Sequence, residues 1–199
     1  MRSDIVKLSG DPSDTALALK QAESVAAFFG MQGKEAIRLR LLAEEMMGMI
    51  RSLTGTRSAE FWIEDDEKAD RRLRLHLKAA VGMNTELRKE LLSASTSGKN
   101  AAAKGFSGKL RDIFARAIEP EDKYIADYYA AGWIISEPEM YNMPTGSVWS
   151  FSRYRDSLGP EEKEEHDELE KSIIANLADE VEVSIRGDAV EMIVYKKNA

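Results

Sequence analysis

The chain has 199 residues, 43% of them hydrophobic and 32% charged, with a net charge of −7 and a pI of about 5.1. That length builds one sizeable core, so a single domain spanning 1–199 is expected, and the acidic balance argues against a nucleic-acid partner. The absence of cysteine excludes disulfides, cysteine-ligated zinc and thiol catalysis, and two histidines leave little for a histidine metal site.

No stretch approaches the ~18 apolar residues of a membrane span, and the N-terminal segment lacks the apolar core of a signal peptide. The expectation is a soluble, cytoplasmic protein with no membrane partner. Residues 3–8 predict a first strand. Ser13 or Asp14 then supplies the cap of a helix running to about Phe29. Gly30 and Gly33 bracket a turn, and an apolar helix follows over Lys34–Thr54, closed by Gly55. Residues 59–64 read as a strand, 65–72 as a charged hairpin tip, and 73–81 as a second strand. In that second strand Leu73, Leu75, Leu77 and Ala79 alternate with Arg74, His76, Lys78 and Ala80. Period-2 alternation predicts one buried and one solvated face, which places His76 in solvent.

Beyond residue 85 a short helix is expected over 86–92, a small polar loop over 93–100, and a helix over about 100–117. Residues 120–159 hold eight aromatic residues and read as local packing rather than a base-stacking platform. Pro160 opens an acidic helix over 160–177. A hairpin around Gly187-Asp188 closes the chain. Antiparallel hairpins with segregated helices define the expected class, α+β: a two-layer α/β sandwich whose mixed, mainly antiparallel sheet of about five or six strands carries helices on one face.

Two places carry candidate chemistry. The first is Glu45. Glu44 lies on the charged arc of its helix with Arg40 and Arg51. Glu45 instead has Leu41, Leu42, Gly48 and Met49 as helical neighbours. A carboxylate there either marks the border of the helix or serves a site. The second is Ser97-Gly98-Lys99-Asn100 together with Lys104 and Gly105. This is no Walker A motif, since Ser93 stands where that motif needs glycine and Asn100 where it needs serine or threonine. Small residues and lysines ahead of a helix nevertheless suit an anion or a nucleotide phosphate, with ordinary surface charge as the other reading.

The segment Arg38 to Ile50, RLRLLAEEMMGMI, resembles the N-box helix of the histidine-kinase-like (GHKL) ATPase superfamily, most of all its anti-sigma-factor serine kinase branch. In that family the helix carries Glu-x-x-x-Asn, the glutamate acting as base and the asparagine ligating magnesium. Glu45 matches the glutamate, and the asparagine position falls on Met49, which cannot bind a hard cation. The adenine-reading aspartate has no counterpart in residues 79–84, and the phosphate segment corresponds loosely to 97–108. The resemblance covers 1–118 and 160–197 and makes 118–160 an insertion. It implies a degenerate ATPase module, a regulatory or binding protein that holds ATP without magnesium-dependent turnover and acts on a protein partner. Glu45 would be its vestigial base, Ser97, Gly98, Lys99, Asn100, Lys104 and Gly105 its nucleotide contacts, and it would hold no metal. The alternatives are an active ATP-dependent serine kinase or ATPase of the same superfamily, and an α+β interaction module without nucleotide.

Overall fold

The computed structural model describes residues 1–9, 11–54, 58–66, 72–80, 133–134, 147–160, 172–186 and 189–197. The elements in chain order are β1 (Val6–Leu8), α1 (Pro12–Phe28), α2 (Lys34–Thr54), β2 (Ala59–Asp66), β3 (Arg72–Ala80), β4 (Trp133–Ile134), β5 (Ser147–Ser150), α3 (Phe151–Ser157), α4 (Ile173–Leu177), β6 (Glu180–Arg186) and β7 (Ala189–Lys197). The protein is α+β.

The seven described strands form one sheet in the order β1-β2-β3-β7-β6-β5-β4. Every pairing among them is antiparallel, where a mixed sheet of five or six strands was expected. Hairpin geometry accounts for much of this: β2–β3 and β6–β7 are joined by short connections, and parallel neighbours would need long crossovers. Strands β4 and β5 extend the sheet beyond β6, so part of 118–160 belongs to the sheet itself.

One face of the sheet is apolar except at one end, where Asp65 and Lys196 flank Leu73. Register places Phe61, Leu77, Met192, Val183 and Trp149 in one row across β2, β3, β7, β6 and β5. All five are buried, and they share one core with Ala18, Ala22 and Val25 of α1 and Leu39, Leu42 and Met46 of α2. Phe151 and Tyr154 of α3 and Ile174 of α4 join the same core. The rings of Phe151 and Tyr154 lie 6.5 and 5.9 Å from Trp149, so the described aromatics of 147–154 pack locally.

Helix α1 starts earlier than expected. Asp11, rather than Ser13 or Asp14, is its N-cap, accepting from Ser13 N–H at 2.8 Å, with Pro12 in the first turn. Proline fixes φ at a helical value and lacks the N–H that this position would leave unused, which draws the start back. Asp14 turns outward and accepts from the backbone and hydroxyl of Ser9, both at 2.7 Å. Gly30 and Gly33, at φ of 69° and 55°, turn the chain into α2. Helix α2 has the expected limits, and Ser172 caps α4 inside the expected 160–177 helix.

Strand β1 is shorter than the expected 3–8. Ser3 breaks the ladder: its N–H donates to Ile63 C=O at 2.9 Å, while its hydroxyl accepts from Ile63 N–H and from Gln21 Nε2, both at 2.8 Å. Pairing resumes beyond it through Arg2 opposite Glu64 and Asp65 N–H donating to Met1 C=O at 2.9 Å.

Candidate functional site

Helix α2 packs on α1, on β3 and on α4. Its apolar positions recur at helical spacing and bury Leu39, Leu42, Ala43, Met46 and Met47. Glu44 is exposed and 4.0 Å from Arg40 Nη1, while Arg40 Nε reaches across to Glu23 on α1 at 2.8 Å. Arg38 turns back one helical turn to Glu35 at 2.6 Å. It therefore leaves Glu45, seven residues on and on the same side of the helix, which is half-buried and has no hydrogen bond or ion pair among the described residues. A carboxylate in that state can accept a proton or a hydrogen bond from something outside its own helix.

Met49 lies one turn beyond Glu45 and is only 5% exposed, as a member of the core. A buried thioether is no ligand for a hard cation. Among the described residues no group of three His, Cys, Asp or Glu side chains could hold a metal. Residues 97–100, 104 and 105 lie outside the described residues, as do the expected helices over 86–92 and 100–117. Ala79 and Ala80 end β3 without a carboxylate.

A second polar cluster occupies the sheet face opposite the helices, and it corrects the expectation for His76. That histidine is 6% exposed. Its ring stacks on Trp62, centroids 4.7 Å apart and planes 9° from parallel. Nδ1 lies 2.9 Å from Glu191 Oε1, and Nε2 stands 3.5 Å from Glu64 Oε2. Glu64 also accepts from Trp62 Nε1 at 2.9 Å and meets Arg74 Nη2 at 3.4 Å and Arg2 Nε at 3.3 Å. The Arg2 guanidinium caps the Trp62 ring at 4.9 Å. Alternation assigned the right face, but on this face a cross-strand stack replaces water. The signal was present in Trp62, a large aromatic in the outward phase of β2, opposite His76 in register. The cluster joins β2, β3, β7 and the N-terminal segment by stacking and ion pairs, while His76 Nε2 is buried with no hydrogen-bond partner among the described residues.

No helix among the described residues is long and apolar enough to cross a membrane. Comparison of the chain with protein-family models, with curated proteins and with solved structures finds no match.

Proposed function

We propose that this chain is a degenerate histidine-kinase-like ATPase module: a regulatory or binding protein that keeps a nucleotide site without magnesium-dependent turnover. The observation that carries the proposal is the contrast within one turn of α2. Glu45 is half-buried and unpaired among the described residues, whereas Met49 is absorbed into the core. A base position is kept and the metal-ligand position has become packing. The α+β architecture, with α1 and α2 sharing one core with the sheet, supports the reading, while the antiparallel pairing of the described strands departs from the family's mixed sheet. Magnesium does not fit the described residues, so no step is assigned to it, and turnover by a serine kinase or ATPase is disfavoured for the same reason.

The test is a calorimetric titration with ATP, once with magnesium and once with a chelator. We expect binding of equal affinity in both, retained in the Glu45→Gln variant. Tight magnesium-dependent binding lost in Glu45→Gln would mean a working enzyme. Absence of any binding would leave an α+β interaction module.

A further inference from the structure

Helix α2 has a second face, turned away from the core. At about 100° per residue, Ile37, Leu41, Glu44, Glu45 and Gly48 lie on the half of the helix opposite Leu39, Ala43 and Met46. Three features of this face are locally unfavourable. Ile37 is 59% exposed. Gly48 is mid-helix, where glycine weakens a helix relative to alanine, although a Cβ there would meet nothing within 4 Å. Apart from Glu35 and Arg51, the charges run against the helix macrodipole, with Lys34, Arg38 and Arg40 in the N-terminal half and Glu44 and Glu45 after them. Local choices that conflict with the isolated element mark places where something else is satisfied.

One occupant answers all three. We propose that a second copy of this chain docks on the face, with the two α2 helices antiparallel about a two-fold axis near Leu41. Each cationic half then meets the acidic half of the other copy: Arg38 falls beside Glu45, and Arg40 beside Glu44. Ile37 lies over Gly48 of the second copy, where the missing side chain lets the helices approach closely. Leu41, half-buried in the single chain, meets its own counterpart beside the axis, which falls level with residue 42. A parallel pairing would stack lysine and arginine on themselves. The chain's −7 charge opposes self-association generally, but over 34–49 three cations balance three carboxylates, so the repulsion is least here. The pairing uses Glu45, which the nucleotide reading makes a base, as the partner of Arg38, and its test is run without nucleotide.

The cysteine-free sequence makes the test specific, because Leu41→Cys introduces a single thiol beside the proposed axis. We expect sedimentation equilibrium of the wild type to show a reversible dimer below about 100 µM. Oxidised Leu41→Cys should form a covalent dimer, and the exposed control Leu17→Cys should not. Ile37→Glu and Gly48→Gln should each weaken association by at least about ten-fold with unchanged far-UV circular dichroism. A wild type that stays monomeric at about 500 µM overturns the proposal. So does a dimer that tolerates both Ile37→Glu and Gly48→Gln, or equal cross-linking of Leu41→Cys and Leu17→Cys.

Discussion

Replacing Met49 by asparagine separates a packing residue from a lost ligand. The change introduces the residue type that the resembled N-box helix carries at that position, so a cleft-lining site would accept it readily. The structure demands the opposite. Met49 is 5% exposed inside the core that α2 builds with the sheet. Removing its buried side chain forfeits about 1.5–3 kcal/mol of apolar transfer energy. Inserting an amide without assured partners adds about 1–3 kcal/mol on protein-derived scales. The two contributions overlap where the amide captures a neighbouring backbone group, so Met49→Asn should destabilise by about 3–5 kcal/mol. Urea unfolding of both proteins, followed by far-UV circular dichroism, gives the difference from midpoint and slope. A loss below about 1 kcal/mol would refute the packing argument, and so would magnesium-dependent ATP binding gained by the variant.

Two further outcomes follow from other parts of the molecule. His76→Ala removes the stack on Trp62 and the partner of Glu191, and should cost about 2 kcal/mol with a change in tryptophan fluorescence; an unaltered unfolding midpoint would restore the solvent-exposed assignment. Asp11 is held below its ordinary value of 3.8, first by the backbone hydrogen bond from Ser13 and then by the Ser13 hydroxyl. A lowered carboxyl stabilises the fold above its unfolded value and stops doing so as pH falls through the lower folded value, so the effect is confined to pH below about 4. Asp11→Asn should therefore show a shallower loss of stability on acidification across that window, measured by thermal melts. An acid limb identical to that of the wild type would exclude Asp11 as a contributor.

Much of the frame was legible because its signals are local. The apolar recurrence from Ala36 to Met49 set α2, and strict alternation set β3, where Leu73, Leu75, Leu77 and Ala79 are buried as assigned and His76 is buried against the assignment. The start of α1 was misplaced by two or three residues because Asp11, Ser13 and Asp14 are all competent caps, and only the observed hydrogen bonds choose among them. The environment of His76 was illegible for a different reason. Glu191 is 115 residues away, and no local pattern announces that the two share a face. Strands β4 and β5, of two and four residues, are too short to carry a period and are held by pairing, β5 with β6 and β4 with β5. At the candidate site, the isolation of Glu45 follows from Arg38 choosing Glu35, a choice between two carboxylates that spacing alone leaves open.

The central position of β3 governs when this molecule can fold. Its inner neighbour is β7, and their paired residues lie between 109 and 125 positions apart, from Ala80↔Ala189 to Arg72↔Lys197. During synthesis α1, α2, β2 and β3 leave the ribosome before β7. The backbone groups of β3 that β7 will satisfy must then wait for the last strand of the chain. Closing so long a loop before any pairing energy is returned slows the final step. The nascent chain therefore carries an unpaired strand edge until β7 is made, the kind of surface on which chaperones act and from which aggregation starts.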